Sequence, residues 1–67
     1  MELHINGETL QLPDDIRTVE DLLIHFQLHH RIVIVEVNRN IIQKEDYKQT
    51  TLSDQDQVEI VHFVGGG

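Results

Sequence analysis

The apolar stretch Val58-Glu59-Ile60-Val61-His62-Phe63-Val64 runs directly into Gly65-Gly66-Gly67, where the sequence stops. Glycine carries nothing that packs and loses more freedom on ordering than any other residue, so three in a row add no stability. What they offer is chemical. They are thin enough for a narrow channel and take any backbone conformation inside it. They also end in a carboxylate with no Cβ to hinder attack. Residues 64–67, fully extended, reach roughly 13 Å. A carboxylate is a poor electrophile because its charge is delocalised. Converted to an acyl adenylate it gains a good leaving group, and a sulfur or nitrogen nucleophile can then take the acyl carbon. Magnesium and cationic side chains must handle the phosphates in such a step, and an acidic chain borrows them from a partner. The plainer alternative is a frayed terminus or a linker scar.

Other groups offer less. His25 and His29 stand four apart with His30 beside them, so two would reach one metal if a helix carried both. No HExxH pattern or converging carboxylate accompanies them, and they read as solvated surface residues. His62 reads as a strand histidine serving packing or a hydrogen bond. Asp54 and Asp56 read as loop residues that stabilise turns. The absence of cysteine excludes a disulfide framework, a thiolate metal site and a cysteine nucleophile. No catalytic residue, metal ligand or bound cofactor is assigned.

The elements that must carry the glycines are few, because 67 residues allow one small domain. At that size only about 60% of the unfolded surface can be buried. Hydrophobic residues make up 39%, enough for a core. The acidic start Met1-Glu2-Leu3-His4 has no signal-peptide character and no apolar run approaches a membrane span, so a cytoplasmic location is expected. Twelve acids against five bases give a net charge of −7, which repels nucleic acid and anionic membranes. The same field favours encounter with a basic protein surface. The bases Arg17, Arg31, Arg39, Lys44 and Lys48 read as scattered.

Leu3 and Ile5 alternate with polar neighbours over 2–6, and Asn6-Gly7 tolerates positive φ at both central turn positions. Leu10 and Leu12 continue the alternation, which predicts a β-hairpin closed off by Pro13-Asp14-Asp15. Thr18-x-x-Asp21 predicts a helix start, with Glu20 and Asp21 in its first turn. Val19, Leu22, Leu23 and Phe26 then fall on one helix face, and the helix is expected to run about three turns, to near Leu28. The β-branched run over 32–37 predicts a strand, Asn38-Arg39-Asn40 a turn, and Ile41-Ile42 a further short strand. Residues 43–57 read as a long loop anchored by Tyr47 and Leu52, and 58–64 as the last strand. The fold class is α+β: a mixed sheet of about five strands with one helix on one face, the first and last strands paired in parallel at its centre. The domain spans 1–64, followed by a flexible glycine tail over 65–67.

One helix covers one sheet face. Val58, Ile60, His62 and Val64 oppose Glu59, Val61 and Phe63, and Val33, Val35 and Val37 oppose Ile32, Ile34 and Glu36. Apolar residues therefore remain on the second face. Either a loop folds over it, or isolated apolar residues simply stand at the surface, or it is a protein-docking surface containing Val61, Phe63 and Val64 near the glycines.

These residues carry a resemblance. Leu3-His4-Ile5-Asn6-Gly7, Thr18-Val19-Glu20-Asp21-Leu22-Leu23, Ile32-Val33-Ile34-Val35-Glu36-Val37-Asn38 and above all Asp56 through Gly66 resemble the ubiquitin-like β-grasp proteins. Within them the chain is similar to the ThiS family of thiamine-biosynthesis sulfur carriers, over nearly its whole length. The resemblance implies that Gly67 is adenylated with ATP and magnesium by an E1-like, ThiF-like enzyme, and that Gly65 and Gly66 thread the partner's active site. Sulfur from cysteine, delivered through a cysteine desulfurase, then makes the thiocarboxylate. A ThiG-like thiazole synthase accepts the sulfur for the thiazole ring. The chain would be a protein co-substrate and not itself an enzyme. The family motif is a terminal Gly-Gly, and the third glycine here shifts the reach by one position. Three alternatives stay open at this level: a MoaD-like carrier for molybdopterin, a ubiquitin-like modifier joined to lysines, and a plain interaction domain.

Overall fold

The computed structural model describes residues 1–63. Strands β1 (Glu2–Ile5) and β2 (Glu8–Gln11) form the first hairpin. Helix α1 (Val19–His25) follows, then β3 (Val33–Val37) and β4 (Asn40–Ile42), a 3₁₀ turn at Lys44–Asp46, and β5 (Gln57–His62). The sheet order is β2-β1-β5-β3-β4, so the last strand in sequence is the middle strand in space. β1 and β5 run parallel, with Ile5 opposite Val58, and every other neighbouring pair is antiparallel. This is the mixed five-stranded sheet with one helix expected above.

Local chemistry accounts for each element. The turn at Asn6-Gly7 has φ of 51° and 82°, the left-handed pair that a two-residue hairpin needs. Asn38 and Arg39, at 49° and 71°, make the same kind of turn between β3 and β4, and Asn40 already belongs to the strand. At the helix start the Asp21 amide donates to Thr18 Oγ1 (3.1 Å), and Asp21 Oδ2 accepts from the Thr18 and Arg17 amides (3.1 and 3.0 Å). Those two backbone donors hold the Asp21 carboxyl below its ordinary value, Arg17 contributing most. The first helical amides find carbonyls in the long loop: Val19 N–H donates to Thr50 O (3.0 Å) and Glu20 N–H to Tyr47 O (3.1 Å). The loop therefore satisfies donors that a helix cannot satisfy itself. Burial of Tyr47 there raises its phenol above the ordinary value.

The helix is shorter than its periodicity predicts. Gln27 takes φ 59°, Gln27 N–H donates to Ile24 O (2.9 Å) and Leu28 N–H to Leu23 O (2.7 Å). This is the Schellman pattern, and it ends the helix at His25. Phe26 is consequently the C-cap and is exposed, not a core residue of the helix face. The strand boundaries also shift: Asn6 and Ile32 lie just outside β1 and β3, and β5 starts one residue early at Gln57 and ends at His62, with Phe63 outside it.

The core lies between α1 and one face of the sheet. Val19, Leu22 and Leu23 pack over Leu3, Ile5, Val35, Val37, Val58 and Ile60, with Leu12, Ile16 and Leu52 closing the sides. Leu52 is the buried anchor expected of the long loop, and Tyr47 packs against the cluster from its edge. Among the described residues no helix is long and apolar enough to cross a membrane.

Candidate functional site

Strand β5 has its two faces in opposite environments. Val58 and Ile60 are buried under the helix, while Val61 and Phe63 remain 52% and 55% exposed on the other side. The sheet register extends that patch. Ile34 is paired with Val61, and the Phe63 amide donates to Ile32 O at 3.3 Å. Ile32 is 78% exposed, and Ile41, opposite Glu36 on the edge strand, is 63% exposed. Among the described residues no loop folds over this face, and the exposed side chains are neighbours in the sheet register rather than isolated. Ile32, Ile34, Val61 and Phe63 therefore gather at the end of the sheet from which the chain runs on toward its glycines, and Ile41 lies on the same face one row back, beside Glu36. Ile32 and Ile34 were legible from alternation. Ile41 was not, because a two-residue apolar run has no face until its register is known. Val64, Gly65, Gly66 and Gly67 lie outside the described residues.

The other half of the open face is polar. Glu36 sits directly opposite Glu59, two carboxylates on adjacent positions of the ladder. Like charges across a ladder are unfavourable by themselves, and a cationic group placed between them would relieve that. Farther from the apolar end, His4 contacts Thr9 Oγ1 through Nδ1 (3.0 Å) and Gln55 Oε1 through Nε2 (2.9 Å). Gln55 Nε2 donates to Glu2 Oε2 at 2.6 Å. Asp54 Oδ1 accepts the Glu2 amide (2.6 Å), which lowers its carboxyl below the usual value, and Asp56 accepts the Ser53 amide (2.8 Å). Both aspartates are thus turn-stabilising, as their positions suggest.

The root of the glycine segment is held from two sides. On the β3 side Val33 pairs with His62. On the β1 side the Asn6 side chain takes over where β1 has ended: Oδ1 accepts the Ile60 amide (2.8 Å) and Nδ2 donates to Ile60 O (3.0 Å). His62 is exposed beyond it.

The remaining histidines do not converge on a metal. His25 lies edge-on to Phe26 at 5.0 Å between centroids, and the His29 and His30 rings are 4.0 Å apart in the loop after the helix. Among the described residues no three His, Asp or Glu side chains are grouped to hold an ion. The bases are less scattered than the sequence suggests: Arg31, Lys44 and Lys48 line one surface hollow with His29 and His30. Glu20 and Glu45 line it too, so at neutral pH its formal charge is three minus two, or +1. That is too small a surplus to make it a site for anions.

Comparison with known proteins agrees with this architecture. A sequence model of the ThiS family matches residues 2–67. The sulfur carrier protein ThiS of Bacillus subtilis is 51% identical over 65 residues, covering 97% of this chain and 98% of that protein. A thiazole synthase of Paramagnetospirillum magneticum is 43% identical over 67 residues, which is all of this chain but 20% of that protein. The crystal structure of the thiamine biosynthesis protein ThiS from Geobacter metallireducens superposes with a TM-score of 0.82 at 32% identity, covering 100% of both chains.

Proposed function

The chain belongs to the ThiS family, and from that premise we propose that it is a sulfur carrier protein of thiamine biosynthesis whose working group is the carboxylate of Gly67. The observation that carries the reading is the union of an open apolar patch with the strand that leads to Gly65-Gly66-Gly67. The patch binds a partner while the glycines enter its active site.

The chemistry assigns little to this chain beyond its terminus. An E1-like enzyme supplies ATP, magnesium and the cations around them. A Gly67 carboxylate oxygen attacks the α-phosphorus of ATP, and pyrophosphate leaves. A sulfur nucleophile derived from cysteine through a cysteine desulfurase attacks the acyl carbon, and AMP leaves. If that nucleophile is a persulfide, a thiol reductant frees the thiocarboxylate. A carrier needs no catalytic side chain of its own for this, and so acts as a co-substrate. Gly65 and Gly66 keep the approach narrow, since any Cβ there would widen the thread. Val61 and Phe63, with Val64 next in sequence, form the docking surface. The facing Glu36 and Glu59 favour a partner that brings a cation beside its apolar contact.

The acceptor we assign is a thiazole synthase. The thiazole synthases similar to this chain match it over a fifth of their own length. A carrier-like segment joined to that enzyme would hold donor and acceptor at high effective concentration. Where carrier and acceptor are separate chains, the docking patch does that work.

The deciding experiment is the intact mass of the purified chain after incubation with ATP, magnesium, the adenylating enzyme, a cysteine desulfurase, cysteine and a thiol reductant. The expected change is one oxygen replaced by one sulfur, absent without ATP and absent when Gly67 is deleted, with the melting temperature of the deletion close to that of the parent. An unchanged mass beside an active enzyme would sink the reading. Appearance of a lysine-linked conjugate would move it to a modifier, and transfer of the sulfur to molybdopterin synthase alone to the other carrier class.

A further inference from the structure

We propose that Asn6 is a positioning residue for the glycine segment: its side chain acts as one added residue of β1 and fixes the direction in which β5 leaves the domain. The inference rests on the carrier reading for its consequence but not for its geometry. β1 stops at Ile5, opposite Val58, because the chain must turn at Asn6-Gly7. The Asn6 amide still reaches Val58 O at 2.9 Å. Beyond that the backbone of β1 has nothing to offer Ile60. The Asn6 carboxamide supplies it, accepting the Ile60 N–H at 2.8 Å and donating to the Ile60 C=O at 3.0 Å. A primary amide presents one acceptor and one donor side by side, as a strand residue does.

Ile60 is the last residue of β5 gripped from both sides. After it, among the described residues, the strand is held from β3, through Val33 opposite His62 and the 3.3 Å bond of the Phe63 amide to Ile32. Gly67 lies seven residues on (67 − 60). Losing one of its two holds at Ile60 leaves 61–63, the stretch from which the glycines start, on a single ladder and freer to fray. Val61 and Phe63 must also meet the partner while the glycines enter it. Releasing Ile60 leaves that arrangement to be ordered at each docking event, which weakens binding more than chemistry. The residue type fits both tasks, since asparagine tolerates the left-handed φ of the turn better than other side chains.

The test uses the full chain and two substitutions. Asn6→Gly keeps the positive φ and removes only the carboxamide. Asn6→Asp keeps an acceptor for the Ile60 amide but sets a carboxylate oxygen against the Ile60 carbonyl. In Asn6→Gly the hydrogen-exchange protection of the Ile60 amide is expected to fall about tenfold, with faster exchange at 61–63 and a cooperative melt. KM for activation by the adenylating enzyme should rise threefold or more, with kcat within twofold. Asn6→Asp should lose protection at neutral pH and regain it in acid, where a protonated carboxyl again donates. Unchanged Ile60 protection in Asn6→Gly overturns the proposal. So does a KM within twofold of the parent once protection is lost, because Asn6 would then serve the fold only. A parent chain that never gains sulfur sinks the carrier reading instead, and the exchange rates at 60–63 still decide for or against the clamp.

Discussion

The two faces of the sheet obey different rules. Under α1, Leu3, Ile5, Val35, Val37, Val58 and Ile60 are buried in one cluster with Val19, Leu22 and Leu23, and Leu10, Val33 and Ile42 pack partly buried against it. On the open face, residues of the same types remain in solvent: Ile32, Ile34, Ile41, Val61 and Phe63. The strand alternation is equally good on both, so propensity does not separate them. The difference is that a seven-residue helix covers about one face and nothing is left for the other. The covered face is where stability resides, and the open face is where we place affinity for a partner. A 67-residue chain that leaves five large apolar side chains uncovered gives up stability it can ill spare.

Substitutions should separate the two faces cleanly. Leu22→Ala, at a fully buried position, is expected to cost about 3 kcal/mol and lower the melting temperature by roughly 15 °C. A small loss in a thermal melt would mean that the helix is not the main cover of the core. Phe63→Ala is expected to raise KM for the adenylating enzyme about tenfold while moving the melting temperature by less than about 3 °C. Unfolding in that variant would instead make Phe63 a core residue and reverse the two faces. The smallest effect concerns the helix cap. Asp21 is held below its ordinary value by backbone donors, so its contribution is present above the unfolded carboxylate value near 3.8 and is lost as pH falls through the lower folded value. The gap in melting temperature between the parent and Asp21→Asn should therefore shrink from pH 6 to pH 3. A gap that is constant with pH would show that the cap works without the charge.

Much of this was legible in the sequence because the signals are local. Asn6-Gly7 marks its hairpin through φ, Thr18 and Asp21 mark the helix start through a reciprocal cap, and the β-branched run at 33–37 excludes a helix. Alternation sorted Val61 and Phe63 from Val58 and Ile60, although only the structure says which pair the helix covers. The misses are of two kinds. The helix ends early because Gln27 adopts a conformation that glycine usually signals, so no residue type announced it and Phe26 was placed a turn too far into the helix. The other misses are non-local. Asn6 and Ile60 are 54 positions apart, and Arg31 meets Lys44 and Lys48 only after the chain has crossed the sheet. No periodicity in one segment reports a partner in another.

The placement of β5 also has a consequence for how the molecule is made. The hairpins β1–β2 and β3–β4 each rest on local pairing, yet they share no ladder until residues 57–62 slide between them. The centre of the sheet is thus the last strand of this fold to be synthesised. Nascent chains short of that point hold two hairpins and a helix with no common floor, and the closing contacts span nearly the full length of the chain, which is the slow kind to form. Synthesis order therefore couples completion of the core to emergence of the glycines that follow it. A chain in which β5 has docked reaches the glycines a few residues later, and one in which it has not lacks the open apolar patch that we propose a partner binds.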